Sequence, residues 1–228
     1  MKAGEEMGTG PEPIRELAGN MACSEGPVPV SSDAMPLCVE NPFCTRRVRP
    51  GAIPFLFADD TTAATLVARL RANDWRGQIV GPHGSGKSAL LAALIPAIER
   101  AGRQVLLLEL HDAERSLPRD FWRGPQLASA TLPIVDGYEQ LGRWTRFRLK
   151  RCCRRLLVTA HTSVGLPDLC RTAVDLDLAC RVAAQLQQGH TPLVSARDVA
   201  ERFPRHVGNL RELLFDLYDL YEQRQRVS

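Results

Sequence analysis

Residues Gly81, Pro82, His83, Gly84, Ser85, Gly86, Lys87 and Ser88 complete the spacing G-x-x-x-x-G-K-[ST], and residue types in that order point to one chemistry. The glycines let a loop curl so that successive backbone N–H groups face inward, and a helix following the lysine adds the positive end of its dipole. Such a hollow attracts an anion. Lys87 is predicted to reach the β and γ phosphates of ATP, the Ser88 hydroxyl to hold Mg2+, and Ala89 to join the loop in binding the nucleotide. A metal there needs a carboxylate at the end of a neighbouring apolar strand, and the run from Thr131 to Val135 leads into Asp136. Hydrolysis also needs a group that orients or deprotonates water. Gly137 follows the aspartate, so the nearest candidate base is Glu139; a solvated glutamate at a helix start would look the same. Another apolar run ends in Thr159, Ala160 and His161. Alternation sends Thr159 and His161 to one face, where each is either a nucleotide contact or a structural side chain.

The elements that must position these residues follow from hydrophobic period and turn chemistry. A helix begins after Asp60 or Thr61 as cap, with Leu66, Val67 and Leu70 on one face. A short strand, Gln78 to Val80, runs into the glycine loop and a helix containing Pro96, where a kink or early unwinding is expected. Apolar runs from Gln104, Ala130 and Arg154 read as further strands, LPDLCRT adds a last short one, and such strands separated by helical patterns imply a parallel sheet covered on both faces. Helices are predicted over 175–187, 195–203 and 207–224, with Ser195 and Asp198 at capping-box spacing. The segment from Asn41 to Phe57 reads as extended chain packed on the core, and the Gly-, Pro- and Ser-rich stretch before it as a tail. The expected fold is α/β, a doubly wound parallel-sheet P-loop NTPase core over 41–173, a small C-terminal helical lid over 174–228 and a disordered tail over 1–40.

A chain of 228 residues has room for one such core with an appendage, and its formal charge of +3 demands no polyanionic partner. The longest nearly apolar run, Ala89 to Ile98, is too short to cross a bilayer, and the N-terminus lacks the apolar core of a secretory signal. A cytoplasmic protein with no membrane partner is expected. The 7 cysteines form no C-x-x-C pair or zinc spacing, and their odd number argues for reduced thiols.

In GPHGSGKS, LPIVDGYEQL, LLVTAH and GNLRELLFDLYDLYE the chain resembles P-loop ATPases of the AAA+ and STAND divisions. DGYEQL is similar to the NACHT-type form with a delayed second acid, and the whole resembles small P-loop proteins of planctomycete-type bacteria. GNLREL resembles the sensor-2 region of AAA+ lids, which implies that Arg211 reaches back toward the γ phosphate as a third catalytic residue beside Lys87 and Glu139. The resemblance implies a slow ATPase that switches through its lid, acting on an unknown protein partner, and it places the NPF and RPG segments near the adenine base. Two departures stand out. The Asp-Glu pair of a fast AAA+ site is absent, and Leu166 follows Thr159 by only seven positions, which leaves little room for the usual helix. No S-G-G-Q-like signature supports an ABC cassette. A small-molecule kinase and a non-hydrolysing ATP-gated interaction module remain as alternatives.

Between Arg143 and Arg155 stand Arg146, Arg148, Lys150, Arg151 and Arg154, with no acid among them. Leu141, Trp144, Leu149 and Cys152 are predicted to turn toward the sheet. Three readings stay open: a solvated helix face, a homo-oligomer contact that includes an arginine finger, and a nucleic-acid phosphate track.

Overall fold

Five strands build the sheet: β1 (Arg76–Val80), β2 (Gln104–Glu109), β3 (Thr131–Asp136), β4 (Leu156–Ala160) and β5 (Asp168–Arg171). The computed structural model describes residues 40–227 apart from 53, 59, 111–114, 123–130 and 207, and the predicted tail, except Glu40, lies outside the described residues. All pairings are parallel and the order is β2-β3-β4-β1-β5. The chain leaves β1, crosses to the far edge, returns through β3 and β4, and then passes over β1 to β5. This order brings the C-terminal ends of β1, β3 and β4 side by side, the position where open α/β sheets bind ligands. The architecture is α/β with both faces of a parallel sheet covered, as expected.

Helices α2 (Ala63–Ala72) and α3 (Lys87–Arg100) cover one face, burying Leu70, Leu90, Leu94 and Ile98 against Ile79, Leu132, Ile134 and Leu157. On the other face Val135, Leu156 and Val158 meet Tyr138, Leu141, Leu149 and Phe121. Alternation along β4 therefore sends Leu157 to the α3 side and Leu156 and Val158 away from it. The single turn α1 (Thr45–Val48) interrupts the segment read as extended. Cap and strand bounds differ slightly from expectation. Thr62, rather than Asp60 or Thr61, caps α2 through a capping box with Thr65, and β1 begins two residues before Gln78. Helix α3 runs unbroken through Pro96, without the predicted unwinding. Pro96 is exposed, while Leu94, Ala97 and Ile98 on either side of it are buried, so packing holds the helix across the missing hydrogen bond.

The β4–β5 connection contains no helix, as the spacing anticipates, and a buried glutamine takes over part of its role. Gln78, on the central strand, donates from Nε2 to Ser163 Oγ at 2.8 Å and to Asp168 Oδ1, and accepts from the Val164 amide at 2.8 Å. The Lys150 ammonium donates to the Val164 carbonyl. An extended segment can thus lie over the sheet with its polar groups satisfied.

The remaining helices, α5 (Leu176–Leu186), α6 (Ala196–His206) and α7 (Leu210–Gln225), share a second core of Val182, Leu186, Val199, Leu213, Leu217 and Tyr221. Ser195 and Asp198 form the reciprocal cap at the start of α6. Arg224 grips Asp198 through both carboxylate oxygens, at 2.7 and 2.6 Å. Phe43 is fully buried in this core, 6.0 Å from the Tyr221 ring, and Asn41 donates to the Tyr218 carbonyl and to Glu222, each at 3.0 Å. No described helix is long and apolar enough to cross a membrane.

Candidate nucleotide site

The glycine loop joins β1 to α3 in the strand–loop–helix order its spacing requires. Gly86 adopts a left-handed φ of 88° immediately before the helix begins at Lys87, and Gly84 has a φ of 69°. Gly81 is needed for space: a Cβ there would stand 2.1 Å from Thr172 Oγ1. Thr172 also meets Ser85 Oγ at 2.7 Å, and Ser85 donates to the Pro82 carbonyl at 2.8 Å, so the residue after β5 braces the loop from outside. Ser85 is therefore a structural member of the motif. The Lys87 ammonium donates to the carbonyls of Gly81 and Pro82, at 2.8 and 2.7 Å. Burial holds its pKa below the usual lysine value; the Glu139 and Asp136 carboxylates oppose that shift, and Arg211 adds to it.

Asp136 ends β3 beside Thr159 of β4. The Thr159 hydroxyl donates to Asp136 Oδ1 and accepts from the Gly137 amide at 2.9 Å, which orients the carboxylate and the turn after it. Thr159 is fully buried and acts through these two bonds. The next residue, Tyr138, is buried, which pushes its phenol up to about 12; its hydroxyl donates to the Arg146 carbonyl at 3.2 Å. Arg146 donates in turn to the carbonyls of Leu141, at 2.6 Å, and Glu139, at 2.7 Å. With Tyr138 anchored inward and the turn stapled from behind, Glu139 faces the cavity. Its Oε1 lies 3.0 Å from His161 Nε2, while Oε2 is buried without a hydrogen-bond partner. Burial lowers the His161 pKa, opposed by Glu139 and reinforced by Lys87 and His83, whose ring centroid lies 5.4 Å away.

These groups open on one cavity of about 580 Å³. Its lining includes His83, Gly84, Ser85, Gly86, Lys87, Ser88 and Ala89 of the loop, Asp136, Glu139, Thr159 and His161 from the strand ends, and Arg211 from α7. Gly81 and Pro82 lie outside the lining and serve as acceptors for Lys87. The N-terminal segment divides: Arg49 and Pro50 line the cavity, whereas Asn41 and Phe43 are bound to α7 and its core. The NPF segment thus belongs to the helical cluster and does not contact the cavity. Among the described residues no three His, Cys, Asp or Glu side chains gather to hold a metal unaided. A hydroxyl and a carboxylate facing one cavity suit magnesium that keeps water or phosphate oxygens for its other positions.

Sequence reasoning missed Thr172, Tyr138, Arg146 and Asn209. Asn209 caps α7, accepting from Glu212 N at 3.3 Å, and packs so closely on the loop that a Cβ on Gly84 would stand 1.7 Å from its Oδ1. The Leu210 amide donates to the Gly84 carbonyl at 3.2 Å, so the start of α7 is joined to the glycine loop by backbone. The adjacent Gly208 and Asn209 are a helix-start signal, but nothing in their spacing names the loop as partner.

Helix α4 (Arg143–Cys152) overturns one expectation. Trp144 and Cys152 point outward, not toward the sheet, and Leu149 is the one buried residue of the helix. Leu141 and Cys153, flanking α4, are buried in the same cluster as Leu149, so the helix meets the sheet along that side. Arg146, Arg148 and Lys150 are engaged within the protein, Arg148 lying 4.1 Å from the Trp122 ring centroid. The five described cysteines are free.

No family model matches the chain, and no curated protein matches it. Among solved structures it is similar to the crystal structure of a DNA replication initiation factor, with a TM-score of 0.51 at 13% identity over 75% of this chain. The match spans 66% of that factor's chain. At this identity the likeness concerns fold, and the fold is that of the P-loop NTPases.

Proposed function

We propose that the protein binds ATP with magnesium and hydrolyses it slowly, in the manner of an AAA+ or STAND-like switch whose lid, residues 174–228, reads the γ phosphate. The observation that supports this most directly is the convergence of Lys87, Ser88, Asp136, Glu139 and Arg211 on one cavity, from four separate elements. Lys87 exchanges its two carbonyl acceptors for phosphate oxygens, gaining a charged partner for a desolvated ammonium. Ser88 and Asp136 would hold magnesium, which neutralises phosphate charge when bound. Thr159 keeps the Asp136 carboxylate oriented. Glu139 would accept a proton from a water that enters to reach its buried, unpartnered Oε2, while His161 fixes the other oxygen. Arg211 adds positive charge from α7, so loss of the γ phosphate changes the force on that helix.

The test is Lys87→Ala with a fluorescent ATP analogue: binding should disappear, and unchanged affinity would remove the assignment. The Glu139–His161 pair favours one second reading, a module that retains ATP because its candidate base is held. Weak single-turnover hydrolysis together with slow nucleotide release would select it.

A further inference from the structure

On α4, Arg143, Trp144, Phe147, Arg148 and Arg151 fall within one arc of the helix, with aromatic and guanidinium groups interleaved. Trp144 is 82% exposed and Phe147 62%, their rings packed edge to face at 6.2 Å. Large aromatics on a helix that covers a sheet ordinarily supply its buried side. Here they stand away from it. None of these five residues lines the nucleotide cavity, and none takes part in an ion pair among the described residues. No acidic residue occurs along the chain between Glu139 and Asp168.

We propose that this face of α4 binds single-stranded nucleic acid. Two physical demands select that occupant. The guanidinium groups call for a polyanion, and the exposed rings call for flat apolar surfaces to stack on; unpaired bases on a phosphate backbone provide both at once. A duplex hides its base faces within the stack and satisfies only the first demand. A second copy meeting this face symmetrically would set arginine against arginine. Arg143 and Arg151 flank Phe147 one helical turn to either side and contact phosphates, while Trp144 and Phe147 stack on bases.

The experiment uses the full chain and a dye-labelled oligo-dT strand, read by anisotropy, with a duplex of equal length for comparison. Saturable binding is expected, tighter for the single strand, with Trp144→Ala weakening it by roughly tenfold. Replacing both Arg143 and Arg151 with alanine should flatten the dependence of log affinity on log salt by about 1.4, at about 0.7 per phosphate. Trp75 is buried and Trp122 half-buried beside Arg148, so most of the tryptophan quenching on binding should be lost in Trp144→Phe while much of the affinity remains. ATP-analogue binding should be unchanged in every one of these variants, which separates this proposal from the nucleotide assignment and shows that they fold. Absence of strand binding by the unmodified chain, or equal affinity after loss of both aromatic rings, would overturn the proposal. So would sedimentation showing that the rings hold two copies together while no strand binds.

Discussion

His161 Nε2 lies 3.0 Å from Glu139 Oε1, and the other oxygen of that carboxylate is buried with no partner. One half of the carboxylate is fixed by the residue after β4, and the other half is buried without a partner beside the cavity that Glu139 lines. Glu139→Gln removes the proton acceptor and should lower hydrolysis by about 100-fold with little change in ATP affinity. His161→Ala should lower the rate less, by freeing the carboxylate to rotate, and His161→Gln should restore part of it. Phosphate release and nucleotide titration measured on the three variants check this; full activity in Glu139→Gln removes the glutamate from the mechanism.

Gly84 is constrained twice, by a φ of 69° and by Asn209 Oδ1 standing 1.7 Å from where a Cβ would lie. Gly84→Ala should therefore damage both the glycine loop and the cap of α7, at a cost of about 2 kcal/mol from backbone strain and lost capping together. Adding Asn209→Gly relieves the clash but not the φ, so thermal stability should recover in part. A melting temperature unaffected by Gly84→Ala would show that the loop and α7 are not in contact in solution.

Gln78→Leu keeps volume while deleting an amide that serves Ser163, Val164 and Asp168. The Val164 N–H would lose its buried acceptor, so about 2 kcal/mol should be lost despite the more apolar side chain. Urea denaturation measures it. A gain in stability would mean that the 161–167 segment satisfies itself without Gln78.

Asp198 carries a linkage prediction. The two hydrogen bonds from Arg224 and the Ser195 cap hold its carboxyl far below the ordinary 3.8. Its folded pKa is depressed, so the stability it contributes is present above pH 3.8 and falls away as pH drops below that value toward the folded pKa. Asp198→Asn should cost about 2 kcal/mol at neutral pH, less than a fully buried pair because the Arg224 side chain is 41% exposed. The variant should also flatten the acid limb of the stability–pH curve; an unaltered limb would assign acid unfolding to other carboxylates.

The glycine loop was legible because its constraints are local: glycines at fixed offsets and a lysine at a helix start act within a few residues. The strands were legible for a related reason, since a parallel strand buried on both faces must be apolar throughout. The orientation of α4 was not, because Trp144 and Leu149 lie about 140° apart on the helix and only packing against the sheet decided that Leu149 is the buried one.

By itself the sequence determined the α/β class, the loop from Gly81 to Ser88 and the strand that ends in Asp136, because each depends on periodicity or on steric rules acting along the chain. Only the tertiary structure decided that Thr159 orients Asp136, that His161 holds Glu139, that Thr172 braces Gly81 and that Asn209 packs on Gly84. These pairs are far apart in sequence, and their partners are chosen by strand order and by the volume left between packed elements, which no local pattern encodes.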